Sequence, residues 1–328
     1  MNRRSFQLAL TAAVATAGWA RVGMVNAQDK WPSKPVKVVL SQPAGSGPDN
    51  IARLLGDGMA QSLGQPFVID NKPGGQNVIG AQAVAHSAPD GYTLYFATTA
   101  ALVTNSYLFK TLPYDPLKDF TPVAFVANSP FALLVSADSP ITSVQDLVAR
   151  SKAEPGKLSI ANEGPRTFGG MIARLFNARS KAGANLVSYS SNGVAVQDVL
   201  GGHSNAIVAD VASTAQLVRQ GRLRMLAVTS PKRIAGWDQV PALAETLPGV
   251  DMVGWMAVVA PTGTPAPVVA RLNADINKLL TTPAFADKLL AIGPIAAPGQ
   301  SPQQFDAFLQ QEHARLGQIA AEIGLLPE

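Results

Sequence analysis

Val36-Lys37-Val38-Val39-Leu40-Ser41-Gln42-Pro43-Ala44-Gly45-Ser46-Gly47-Pro48-Asp49 reads as a buried strand that breaks into a loop and restarts as a helix. Val36 to Leu40 is short, β-branched and apolar, as a central strand is. Ile51, Leu54, Leu55, Met59 and Leu63 then recur at helical spacing. The loop between them therefore sits at the carboxyl end of a strand. Pro43, Ala44, Gly45, Ser46, Gly47 and Asp49 form it, with Gly47 as the expected cap and Pro48 in the first helical position. Gly45 and Gly47 let bare backbone N–H groups approach a ligand, and the positive end of the helix dipole points at the same spot. That combination suits a carboxylate or phosphate; the competing reading is an ordinary strand-to-helix turn. A dinucleotide fingerprint is a poor third reading, because Asn50 stands where the third glycine of G-x-G-x-x-G belongs.

Outward from this unit, strand-like and helix-like segments alternate to the end of the chain, which predicts an α/β architecture with mainly parallel sheets. Strands are expected at Phe67 to Asn71, Tyr92 to Ala97, Val123 to Ala127, Phe131 to Val135, Leu158 to Ala161, Leu186 to Tyr189, Ala206 to Ala209 and Met225 to Thr229. Helical patterns at Ala266 to Leu280, Pro283 to Ile292 and Pro302 to Ile323 close the chain. Pro122 to Pro130 and Val250 to Pro261 are the two places where extended chain can cross between lobes, and two crossings make a hinge. The expected organisation is a leader over residues 1–27, a discontinuous first domain over 28–127 and 254–328, and a second domain over 128–253. About 300 residues beyond the leader exceed what one hydrophobic core usually serves.

Arg3-Arg4, the uncharged Ala-rich run from Ser5 to Ala20 and the small residues Val25-Asn26-Ala27 form an export signal. Its twin-arginine look leaves the Sec and twin-arginine routes both open. No later segment is apolar for the ~20 residues a membrane span requires. The leader holds Arg3, Arg4 and Arg21 and no acidic residue, so the net charge of +4 falls by three to +1 when it is removed. That argues against a nucleic-acid partner. Cysteine is absent, so neither disulfides nor thiol chemistry are available. His86, His203 and His313 are scattered without carboxylates at ligand spacing, so no metal is expected.

Enzyme signatures are absent too: there is no G-x-S-x-G elbow, no H-E-x-x-H and no Walker loop. Polar, Gly-containing loops recur instead after strands, at Gly45 to Asp49, Thr98 to Ala100, Asn162 to Gly169 and Ser190 to Gly193. In doubly wound sheets ligands sit at such loops.

Across nearly its full length the chain resembles the Bug-type receptors of tripartite tricarboxylate transporters. The residues that carry the resemblance are Trp31-Pro32-Ser33-Lys34-Pro35, Pro43-Ala44-Gly45 with Asp49, Pro73-Gly74-Gly75 and Ala88-Pro89-Asp90-Gly91-Tyr92-Thr93-Leu94. The string Leu112-Pro113-Tyr114-Asp115-Pro116-Leu117-Lys118-Asp119-Phe120, Leu200-Gly201-Gly202 and Ala260-Pro261-Thr262-Gly263-Thr264-Pro265 complete it. The resemblance implies a two-lobed, type II-like periplasmic binding protein fold, each lobe a mainly parallel sheet flanked by helices. It implies a monomeric receptor without cofactor or catalytic residues, which captures a small mono- or dicarboxylate and delivers it to a membrane permease. A periplasmic sensory module, or an enzyme derived from the same scaffold, is the alternative, and the lack of a paired acid and base in the cleft loops speaks against the enzyme.

The family's ligand loops fall on Pro43 to Asp49, on Thr98 and Thr99, on Asn162, Gly164, Arg166, Thr167 and Phe168, and on Tyr189 and Gly193. Asp210 lies near where the family brings an acidic residue to the cleft. For Asp49 a favourable helix-start role is preferred over ligand contact, and for Tyr114 and Asp115 a loop anchor. The third loop departs from the family's small, hydroxyl-rich pattern at Glu163, Arg166 and Phe168. Arg166 either pairs with a second carboxylate at the far end of the ligand or, the slightly preferred reading, faces solvent and pairs with Glu163 or with nothing.

Overall fold

The structure is a computed structural model and describes residues 31–328; the export signal lies outside the described residues. Ten strands form one curled sheet in the order β2-β1-β3-β9-β4-β7-β5-β6, with β8 and β10 also paired to β4. In the first lobe β1 (Val36–Leu40) pairs in parallel with β2 (Phe67–Asn71) and β3 (Thr93–Thr98). Helices α1 (Gly47–Leu63) and α2 (Val78–Ala85) make the crossovers. After β3 a π-helical turn, Ala100–Thr104, runs into α3 (Asn105–Leu108), where the sequence suggests only a polar loop.

The strand β4 (Phe120–Ser136) is the spine of the molecule. Its 17 residues merge the two strands expected on either side of Pro130. From Phe120 to Pro130 it pairs antiparallel with β9 (Val253–Pro261), and beyond Phe131 with β7 (Ala206–Asp210) and β8 (Leu223–Val228). In the second lobe α4 (Val144–Ala153) precedes β5 (Ser159–Asn162), and α5 (Phe168–Ser180) leads to β6 (Asn185–Ser188). Helices α6 (Asn192–Leu200) and α7 (Val211–Arg219) flank β7. β5 pairs in parallel with β6 and β7. The chain returns along β9 to α8 (Ala266–Leu280), α9 (Pro283–Ala291), the two-residue β10 (Ile295–Ala296) and α10 (Pro302–Glu322).

The expectation of mainly parallel sheets is corrected to mixed ones. Strands joined by a helical crossover are parallel, while every antiparallel pair contains β4 or β9. The cause is topological: the chain leaves the first lobe on β4 and returns on β9, so these neighbours must run in opposite directions. Both crossings therefore lie where the sequence locates them, and they are regular strands rather than open linkers.

Three apolar clusters hold the layers. Ile51, Leu55 and Met59 of α1 pack with Leu272, Ile276 and Leu280 of α8 against one face of the first lobe. Ala195, Val196 and Val199 of α6 and Ala215 of α7 cover one face of the second. A third cluster runs from Tyr95 and Phe125 through Phe131 and Trp255 to Phe168 and Phe176, joining the lobes under α5 and α10. Each fully buried Leu, Ile, Met or Phe contributes roughly 1.5 to 3 kcal/mol. This packing brings the carboxyl ends of β1, β2 and β3 to one edge, and those of β5, β6 and β7 to another.

Candidate functional site

At the first loop Ser46, and not Gly47, caps α1, its hydroxyl accepting the Asp49 amide at 3.4 Å. Gly45 takes a left-handed turn at φ +81, a conformation other residues resist. Asp49 is almost fully buried and ties the loop together. Its carboxylate accepts the Gly45 amide at 2.8 Å, Arg53 Nε at 2.9 Å and Asn71 Nδ2 at 2.9 Å. Burial alone would raise this carboxyl, but Arg53, Asn71 and the Gly45 amide outweigh it and hold it below its usual value. The Ser46 amide is taken by Pro43 O. Among the described residues only the Ala44 and Gly47 amides of this loop remain without an acceptor. They sit at the helix N-terminus, where an anion is favoured.

The neighbouring loop after β2 buttresses the first. Gly74, Gly75, Gln76 and Asn77 all have positive φ, and Asn77 receives Ser41 Oγ at its carbonyl (3.0 Å) and Gln42 Nε2 at its side chain (2.6 Å). Pro73-Gly74-Gly75 was the visible sign of this turn. At β3, Thr99 is buried and exchanges hydrogen bonds with the Trp255 backbone of β9, so it fixes the crossing. Thr98 keeps a buried Oγ1 without a partner. The hydroxyl of Tyr114 donates to Ala101 O at 2.7 Å and anchors the π-helical turn, in keeping with its anchoring role; Asp115 caps its own turn at Leu117.

In the second lobe several residues named from the sequence turn out to be scaffold. Asn162 accepts from Gly164 N and Ser188 Oγ and donates to Val187 O, tying β5 to β6. Thr167 caps α5, and Gly164 O lies so close to Gly170 that no Cβ fits there. Phe168 packs on Phe131 with ring centroids 5.5 Å apart and the planes tilted by 55°. The Tyr189 hydroxyl is held by Asp198 and Ser204, outside the loop cluster. The Arg166 guanidinium donates to Leu108 O at the end of α3 and, in the C-terminal segment, to Leu326 O at 3.0 Å and the Glu328 carboxylate at 2.6 Å.

What sequence reasoning passed over is a pair of carboxylates. Asp210 caps α7 through Ser213 N at 2.8 Å, and its other oxygen accepts Asn192 Nδ2 at 2.8 Å. The same Asn192 nitrogen reaches Glu163 Oε2, also at 2.8 Å. Burial first, and then the charge of Asp210, push Glu163 up to about 7, against the Gly169, Thr167 and Asn192 hydrogen bonds. These loops therefore bring together two carboxyl groups that lie far apart in the sequence. Gly193, one residue on, is exposed at the start of α6, where a Cβ would stand 3.9 Å from Ser191 Oγ. A Cβ placed on Gly47 would stand 3.8 Å from that of Ala212, so the first loop and the first turn of α7 face each other between the lobes.

A separate hollow of about 380 Å³ lies between α5 and the end of α10, lined by Asn162, Arg174, Asn177, Ser188 and Glu322, and the first loop takes no part in it. Among the described residues no group of three or more His, Asp or Glu could hold a metal ion, and no helix is long and apolar enough to cross a membrane.

Two α/β lobes joined by neighbouring strands, with strand-end loops facing each other, define a two-lobed periplasmic binding protein. Residues 51–325 match the profile described as "Tripartite tricarboxylate transporter family receptor", and the chain belongs to that family. It is 34% identical over 315 residues to Protein BugT of Bordetella pertussis, covering 95% of each chain. The structure of R. palustris Rpa4515 with adipate superposes at TM-score 0.84, with 32% identity, over 91% of this chain and 100% of that one. MatC (Rpa3494) from Rhodopseudomonas palustris with bound malate follows at 0.77 and 29%, over 88% and 99%. These neighbours bind small carboxylates, and the family comprises periplasmic solute-binding receptors rather than enzymes.

Proposed function

We propose that this chain is an exported receptor that captures a small carboxylate-bearing metabolite between its lobes and delivers it to a tripartite tricarboxylate-type permease. One observation carries the reading: the first loop is braced by a buried Asp49, yet leaves the Ala44 and Gly47 amides free at a helix N-terminus. Adipate and malate in two structural neighbours support a carboxylate there. The lobes correspond to residues 28–127 with 254–328, and 128–253; residues 1–27 direct the chain to the periplasm, and it acts as a monomer.

A thermal-shift screen of mono- and dicarboxylates tests this, because a ligand that binds only the folded state adds about 2.7 kcal/mol at one hundred times its Kd. A folded protein that shifts with no carboxylate overturns the proposal. The Glu163 and Asp210 pair gives the enzyme alternative its one foothold, since split carboxylate pairs serve acid–base chemistry. The receptor reading requires each ligand to be recovered unchanged after long incubation.

A further inference from the structure

The hollow between α5 and the end of α10 holds more hydrogen-bond donors than the protein itself uses. Its volume of about 380 Å³ is in the range of small-molecule sites. The amide and carboxylate oxygens of its lining all have donors. Asn162 Oδ1 takes the Gly164 amide and the Ser188 hydroxyl, Asn177 Oδ1 takes the Ala184 amide, and the two Glu322 oxygens take Arg179. Carbonyls of the last turn of α10 are met by the Ile323, Gly324 and Leu325 amides. The donors, by contrast, are in surplus. The Asn162 and Asn177 side chains each spend one N–H, on Val187 O and Ala184 O, and keep the other. Arg174, half-buried on the α5 wall, has no carboxylate or carbonyl partner among the described residues. Since Arg179 offsets Glu322, the lining keeps the positive charge of Arg174.

We propose that this hollow is a second ligand site, separate from the interlobe cleft, which takes a small carboxylate with an apolar body. A planar guanidinium pairs with a carboxylate at two points. Arg174 and Asn177, three residues apart, share one face of α5, so the spare Asn177 N–H stands beside that pair. Leu186 and Ile323 supply the apolar part of the lining, along which the body of the ligand lies. Phosphate would meet the donors but bury none of that apolar surface. The occupant touches both α5 and α10, and so braces the lobes beside the Arg179–Glu322 ion pair. The site stands on its own lining and does not depend on what the cleft binds.

Calorimetric titration with benzoate, hexanoate and inorganic phosphate reads the site in wild type and in two variants. Arg174→Gln removes the charge, and Ala178→Trp fills the hollow from its exposed rim and keeps the charge. Benzoate or hexanoate is expected to bind wild type more tightly than phosphate does, and each variant to weaken that carboxylate by about tenfold or more. Crystals of the wild-type protein soaked in 4-bromobenzoate should show the anomalous bromine peak against Leu186 and Ile323, a result that requires neither variant to fold. No peak in the hollow overturns the inference, as does carboxylate binding that both substitutions leave unaltered, or phosphate that binds as tightly as either carboxylate. Benzoate bound in the hollow of a protein whose cleft takes no carboxylate would overturn the receptor reading and leave this site standing.

Discussion

Asp49 shows how one acidic residue can serve a binding loop without touching the ligand. Its carboxylate fixes Gly45, Asn71 and Arg53 at once, so Asp49→Ala takes the acceptor from the Gly45 amide, from one N–H of the Asn71 side chain and from Arg53 Nε. The expected cost is about 2 to 4 kcal/mol in denaturant unfolding, together with weaker carboxylate binding as the loop loosens. Because the folded-state carboxyl is held below its ordinary value of 3.8, its contribution is present above that value and lost as pH falls through the depressed one. Glu163 has the opposite sign. Its carboxyl is raised from 4.5 to about 7, so the folded state keeps a proton that the unfolded state releases between those values. Stability of the ligand-free protein therefore declines as pH rises from about 4.5 to 7, by roughly 3 kcal/mol as a ceiling. Glu163→Gln should flatten that slope and be the more stable form at pH 8. A stability curve unchanged by the substitution would show that Glu163 titrates normally.

The element with the clearest assigned duty is the C-terminal segment after α10. The Lys110 amide donates to Glu328 O and the Glu328 amide to Leu108 O, a short extended pairing clasped from the second lobe by Arg166. Glu328 is well exposed, so the ion pair itself adds little; the hydrogen bonds to main-chain carbonyls matter more. Arg166→Ala should cost about 1 to 2 kcal/mol and speed hydrogen exchange at Lys110, and deletion of residues 326–328 should do the same. Carboxylate affinities should stay within twofold. A selective loss of dicarboxylate binding would return the guanidinium to the cleft. The position of the Arg166 backbone was legible, but the direction of a long side chain is set by partners 58 residues away, at Leu108, and 160 residues away, at Leu326.

For the whole molecule, the hinge consists of β4 and β9 running side by side, with Pro130 opposite Val253 at the point where pairing passes to the second lobe. Two paired strands can twist without losing their ladder, which suits closure about a ligand. The lobes are also linked by α10 against α5, where Arg179 and Glu322 form a two-point ion pair. Small-angle scattering should show a smaller radius of gyration when a saturating carboxylate is added. The change should be larger in Glu322→Ala, whose ligand-free state is free to open further. An unchanged radius with a ligand proved to bind would mean that the cleft fills without closure.

The sequence by itself determined the α/β alternation, the place of the first loop at the end of β1, the two crossings and the family. Each of these is written in local chemistry: β-branched runs, helical periodicity, glycines and a proline at fixed offsets, and a long signature string. Even the role of Tyr114 as an anchor was readable from its proline-rich context. Only the tertiary structure decided that β4 is continuous and its sheet mixed, that Tyr189 and Arg166 turn to other partners, and that Glu163 and Asp210 share Asn192. The physical reason is distance along the chain. Glu163, Asn192 and Asp210 occupy three separate strand ends, and nothing in their own neighbourhoods records that parallel pairing of β5 with β6 and β7 sets those ends side by side.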